Sequence, residues 1–156
     1  MDTINRYRIE KLRRAVSVVL LDGRRLDGDV FLWDRTKVGP EPEEPIDLLN
    51  EDEPYFPFFL NEKEVVLLAK AHVSRVEADA SEHEAIADMP DGSMGVEITL
   101  ADGTAISGFV PLEKRGDQTR LLDFLNGYSK AFIPVFWGKQ VCLVNRLLIA
   151  SVSQLT

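Results

Sequence analysis

A single cysteine among 156 residues excludes an internal disulfide framework and fits a reducing compartment. No apolar run reaches the roughly 18 residues that a membrane span needs. The stretch from Met1 to Arg14 lacks the apolar core of a secretory signal, so a cytoplasmic location is expected. Histidine is almost as scarce. His72 and His83 fall in different regions without the ligand spacing of a zinc site. Cys142, between Val141 and Leu143, reads as an inert thiol on a strand. Neither of the common glycine-rich phosphate loops occurs. Ser17 and Ser74 lack the sequence context of a catalytic nucleophile. Asp22, Asp27, Asp29 and Asp102 fit turns and strand edges better than a catalytic carboxylate pair. These absences imply no catalytic residue, no metal and no cofactor, and a non-enzymatic protein is expected.

Positive charge is also in deficit. The chain has 18 basic and 26 acidic residues, a net charge of −8. In the first 15 residues, five bases (Arg6, Arg8, Lys11, Arg13, Arg14) oppose Asp2 and Glu10, giving +3, so the remainder carries −11. Between Lys37 and Lys63 every ionisable residue is acidic. Phosphate backbones need clustered lysine and arginine, so this balance disfavours broad nucleic-acid binding.

What the chain does have is a repeat of itself, the first feature to seek when assigning a fold. The run Val16-Ser17-Val18-Val19-Leu20-Leu21-Asp22-Gly23 to Gly28 and Val30 aligns without a gap on Val96 to Gly108 and Val110. Asp47-Leu48-Leu49-Asn50 then matches Asp123-Phe124-Leu125-Asn126, and Phe56-Pro57-Phe58-Phe59 matches Ile133-Pro134-Val135-Phe136. Last, Val65 to Lys70 matches Val141 to Arg146, with Val73 and Val76 answering Ile149 and Val152. Two copies of one fold are expected. Their bounds are residues 1–77 and 95–156, with an acidic linker over 78–94 that carries a helical turn near Ser81–Ala87.

Each copy reads mainly as strand. Val96, Ile98 and Leu100 alternate with more polar neighbours at the period of a half-buried strand. The Asp-Gly pairs point to hairpins of the type with positive φ at both central positions. Gly28 and Gly108, inside the second strand, point to a bulge or sharp bend. Ile4, Tyr7, Leu12 and Ala15 share one face of a helical spacing, so an N-terminal helix is expected. Short helices are expected over Pro45–Asn50 and from Asp117 to Gly127.

The segment Val16-Ser17-Val18 through Asp22-Gly23 and Leu26-Asp27-Gly28 resembles the first Sm motif, especially that of Hfq-type bacterial RNA chaperones. Lys70-Ala71-His72-Val73-Ser74 is similar to the second motif of that family, although Ala71 separates the two basic residues. The DGxxLxG and DFLN landmarks also resemble those of an uncharacterised bacterial family. The resemblance implies tandem Sm/SH3-like small barrels, each with a short internal helix, that assemble through exposed strand edges.

Two surfaces remain as candidates. Lys70, His72 and Arg146 form the only repeated basic feature, a candidate site for an anionic ligand. Val66, Leu68, Tyr55, Phe59, Phe136 and Trp137 form a candidate interaction surface, since aromatics concentrate at interface cores. Val65–Leu68 and Val141–Val144 lack the alternation of a strand with one wet face, so a cover is expected: the sister barrel, the N-terminal helix or a second chain. The partner's identity is open. A homo-oligomer, most simply a dimer, is the expectation, and RNA is the alternative that the charge disfavours.

Overall fold

The computed structural model describes residues 11–33, 42–80, 93–112 and 121–155. The chain divides into two compact units, Met1–Ala78 and Asp79–Thr156. Both are built mainly of antiparallel strands. The first contains β1 (Lys11–Leu20), β2 (Arg25–Trp33), α1 (Pro45–Leu49), β3 (Tyr55–Phe59), β4 (Val65–Ala69) and β5 (Val73–Asp79). The second contains β6 (Ser93–Leu100), β7 (Ala105–Pro111), α2 (Leu121–Gly127), β8 (Phe132–Trp137), β9 (Gln140–Asn145) and β10 (Ile149–Gln154). Spatial order is β5-β1-β2-β3-β4 in the first and β10-β6-β7-β8-β9 in the second. A 3₁₀ turn joins the fourth strand to the fifth in each, at Lys70–His72 and at Arg146–Leu148.

The alternation along the strands builds the cores. Phe56 and Phe58 of β3 point inward and are fully buried with Val18 and Leu32. The second core gathers Val96, Ile98, Leu100, Val110, Ile133, Val135 and Val144, with Phe124 and Leu125 of α2 packed against it. Leu26 and Ile106 are half-buried between exposed neighbours. Pro45 opens α1 where an N–H has no helical partner, and Glu44 and Asp47 complete a capping box, the Glu44 N–H donating to Asp47 Oδ2 at 2.8 Å.

Four local expectations need correction. Leu12 and Ala15 lie in β1, because Lys11–Val19 finds a complete ladder against β2, from Lys11↔Trp33 to Val19↔Arg25. Ladder pairing outweighs the helical spacing there; Ile4 and Tyr7 lie outside the described residues. Asp22-Gly23 and Asp102-Gly103 do turn hairpins, but only one positive φ per turn is needed. The Gly23 N–H donates to Leu20 O at 3.0 Å and the Leu20 N–H to Arg24 O at 2.9 Å. That is a type I turn over Leu21-Asp22 followed by glycine at φ 91°. Gly103 repeats it with Leu100 and Thr104, and Asp22 and Asp102 each accept the N–H two residues on. Of the bulge and the sharp bend expected at Gly28 and Gly108, the bulge is absent, since the registers run straight through at Val16↔Gly28 and Val96↔Gly108. Finally, β5 continues to Asp79 and β6 opens at Ser93, so strand reaches into both ends of the expected linker. The helical turn near Ser81–Ala87 and the Asp117 cap lie outside the described residues.

The glycines answer a different demand. A Cβ on Gly28 would strike the Phe59 carbonyl oxygen and come within 2.9 Å of the Phe58 ring. A Cβ on Gly108 would lie 2.6 Å from the Phe136 oxygen and 2.7 Å from Val135 Cγ1. The third strand of each unit passes directly over the glycine, touching the second only near Asp29↔Phe59 and Phe109↔Phe136. Close backbone approach, rather than a bulge, excludes a side chain.

Candidate interaction surface

The β3–β4 hairpin has two faces of the same composition and opposite fates. Its register pairs Tyr55 with Ala69, Pro57 with Leu67 and Phe59 with Val65 on one face. Phe56, Phe58, Val66 and Leu68 occupy the other and turn toward the core. The outer face is apolar throughout, yet Tyr55 is 61% exposed, Val65 46% and Leu67 71%. Phe31 of β2 stacks on Phe59 at 4.3 Å between centroids and 12° between planes, and Trp33 is exposed farther along β2. These groups extend the apolar surface onto β2.

The neighbouring strands show how a wet outer face looks in this fold. There Arg13 pairs with Asp29, Ser17 with Asp27, and Glu77 receives both Arg25 at 2.7 Å and Arg75 at 3.2 Å. Burial opposes the charge on Glu77, but hydrogen bonds from Arg25 and then Arg75 outweigh it and hold the carboxyl below its usual range. An apolar patch bordered by such a polar ladder is the form of an interaction site.

The second unit supplies the internal comparison. Phe132, Val141 and Leu143, the repeat counterparts of Tyr55, Val65 and Leu67, are 1%, 3% and 1% exposed. The same face is thus buried in one copy and open in the other.

The sequence candidates divide accordingly. Tyr55 and Trp137 are exposed, and Phe59 and Phe136 half-buried; Trp137 packs near Phe109 at 6.3 Å. Val66 and Leu68 lie on the core side and are not part of the open face. Val65 and Leu67 take their place, joined by Phe31 and Trp33. An unbroken apolar run does not reveal which alternate residues face inward, and here Phe56 and Phe58 decide the matter from the neighbouring strand.

The basic residues are held differently. Lys70 is buried, its Nζ donating to the Glu51 carbonyl at 2.9 Å and its N–H to the Pro54 carbonyl at 2.9 Å. Burial pushes its amine down, partly offset by the acidic charges of Glu51, Glu53 and Asp52. His72 is exposed, and its carbonyl accepts the Leu21 N–H at 2.9 Å. Arg146 repeats the backbone bond of Lys70, onto Ala131, while its Nε is buried without a hydrogen-bond partner. Among the described residues, no group of three or more His, Cys, Asp or Glu is placed to hold a metal ion. No helix among them is long and apolar enough to cross a membrane.

Glu43 was not anticipated. It is 7% exposed and clamps the end of β2: its N–H donates to Trp33 O at 3.0 Å, and its Oε1 accepts the Trp33 N–H at 3.3 Å. Burial, then the hydrogen bond with the Glu51 side chain, pushes its carboxyl up to about 7. The folded chain therefore keeps a proton that the unfolded chain releases near 4.5. This contribution is fully present below about pH 4.5 and is lost as pH rises through about 7. Glu43→Gln retains the acceptor oxygen and should flatten that decline. Urea midpoints of both proteins at about pH 5 and about pH 8 make the check, the wild type alone losing stability across the interval.

Comparison of the chain with protein-family models, curated proteins and solved structures finds no match.

Proposed function

We propose that this chain is a non-enzymatic protein-interaction and assembly module of bacterial type, built from a duplicated small Sm/SH3-like β-barrel. Support for the barrel reading comes from the shared strand order, the 3₁₀ turn before each fifth strand, and the glycines over which each third strand crosses. The observation that carries the function is the open apolar face of β3–β4, at 71% exposure for Leu67. Leaving it in water forfeits roughly 1.5–3 kcal/mol per large side chain, which a protein partner would recover. A photo-activated cross-linking residue in place of Leu67, in the native cell, is expected to yield a protein adduct. The same residue at exposed Asp22 is the control. Absence of an adduct specific to position 67 overturns the reading.

The second reading is an Sm-like, RNA-binding post-transcriptional regulator using Lys70, His72 and Arg146. The buried amine of Lys70, already bonded to Glu51, weighs against it, as does the acidic balance. Labelled RNA titrated at about 50 mM and about 200 mM salt should show no tight binding at either concentration. Tight binding that weakens steeply with salt, and is lost on Lys70→Glu and Arg146→Glu, would promote this alternative.

A further inference from the structure

We infer, on the basis of the interaction-module reading, that the β3–β4 face takes a protein segment with an apolar core and lysine or arginine at both ends, laid across the outer face along the hairpin. The apolar residues set where it lies. Tyr55 and Pro57 of β3 and Val65 and Leu67 of β4 are exposed side by side. The charges at the two ends of the hairpin set what it must be. Glu51-Asp52-Glu53 leads through Pro54 into β3, and Asn61-Glu62-Lys63-Glu64 turns into β4. These two stretches hold five acids and one base. Asp52, Glu53, Glu62 and Glu64 are exposed, and none is ion-paired with a base among the described residues. Lys70, whose amine is bonded to the Glu51 carbonyl, offsets part of the first cluster. Elsewhere on this unit the wet strands neutralise their own charges, Arg13 holding Asp29 and Arg25 holding Glu77. A segment that buries the apolar stripe brings its flanks within a Debye length, about 10 Å, of the hairpin carboxylates. Acidic flanks are repelled there and basic ones attracted. Lysine and arginine suit the place further, since their stems lie on apolar surface while their heads reach the carboxylates.

The repeat supplies an independent observation. In the second unit, Glu51-Asp52-Glu53 is replaced by Gly127-Tyr128-Ser129-Lys130, and Asn61-Glu62-Lys63-Glu64 by Gly138-Lys139-Gln140. Both acidic clusters are gone. The hairpin itself does not need them, because β8 and β9 pair along their whole length without them. The acids therefore accompany the open face of Tyr55, Val65 and Leu67 and are missing where Phe132, Val141 and Leu143 are covered. Exposure and acidic ends coincide in one copy, which ties the charge to what the face receives. On the β1 side Arg13 stands opposite Phe31 but is bound to Asp29, so the occupant's bases belong at the ends of the hairpin and not toward β1. The span of β4, about 13 Å, fits about five residues of an extended segment or about nine of a helix.

The test selects random dodecapeptides displayed on phage against the full chain, with Leu67→Ser protein used to remove those bound elsewhere. The recovered peptides are expected to carry aliphatic or aromatic cores with lysine or arginine on both sides. Fluorescence anisotropy of one such labelled peptide should weaken about 30-fold on Leu67→Ser. The double variant Glu53→Lys, Glu62→Lys should weaken it about tenfold. Raising salt from about 50 mM to about 500 mM should weaken the wild type by about the same factor and leave the double variant nearly unchanged. All three positions are exposed, so circular dichroism spectra should match the wild type. Recovered peptides with neutral or acidic flanks overturn the inference, as does a selection that yields no peptide dependent on Leu67. So does a dimer, seen by light scattering, that Leu67→Ser dissociates, since the occupant is then a second copy. In each of these cases a protein adduct through position 67 preserves the module reading, and its absence removes that reading as well.

Discussion

Phe58→Ala lowers the unfolding free energy by about 4 kcal/mol. Phe58 is fully buried, faces Val66 across the hairpin, and lays its ring against Gly28. Truncation removes a phenyl ring from a site bounded by paired strands on both sides, where collapse is restricted, so the transfer cost and the cavity cost combine. Against a typical total of about 5–15 kcal/mol, such a loss leaves a marginal first unit. Urea titration reads the effect as a lower midpoint. A loss under about 1 kcal/mol would mean that β3 does not supply the first core.

Gly28→Ala costs about 3 kcal/mol, at the upper end for overpacking. The obstruction is the Phe59 carbonyl oxygen, part of the backbone, in addition to the Phe58 ring. Gly108→Ala meets the Phe136 oxygen at 2.6 Å and behaves alike. Because one obstacle is backbone, the Gly28→Ala penalty persists, though reduced, when Phe58 is already alanine. Gly127→Ala is the control: nothing lies within 4 Å of its added Cβ, so its stability stays within about 1 kcal/mol of wild type. Gly23→Ala also has open space, but its φ of 91° imposes a cost of about 1–2 kcal/mol. Denaturant midpoints in the order Gly28→Ala, Gly23→Ala, Gly127→Ala, from lowest to highest, are expected. Equal midpoints would remove the close crossing from the account.

The strand plan was legible because paired landmarks constrain one another. Val96, Ile98 and Leu100 announce a half-buried strand, and Asp102-Gly103 announces its turn. The first copy repeats the pattern at Val16 to Gly23. The role of Gly28 was less visible, since its spatial neighbours Phe58 and Phe59 are remote in sequence and only the sheet brings them together. Lys11–Ala15 misleads for a similar reason: local spacing suits a helix, while the ladder with Asp29–Trp33 is non-local. Of the interaction surface, Tyr55 and the apolar run of β4 were visible, but their inward and outward members were not. Lys70 looked available because nothing local foretells that the 3₁₀ turn carries its amine to the Glu51 carbonyl. Glu43, inside an acidic stretch that reads as solvated, had no signal except its position before Pro45.

The two glycine crossings also bear on how a duplicated chain avoids assembling itself wrongly. Units with one strand order invite the exchange of equivalent hairpins during folding, a recognised failure of repeat proteins. The hairpins here differ in bulk. Phe56 and Phe58 line the inner side of one, whereas Ile133 and Val135 line that side of the other. A β3–β4 hairpin docked on β7 would drive two phenyl rings into space shaped for aliphatic side chains beside Gly108. The reverse exchange would leave a void beside Gly28. Size mismatch at a shared crossing thus gives each hairpin an address, and kinetic partitioning between the two units follows from side-chain volume while their backbone plan stays the same.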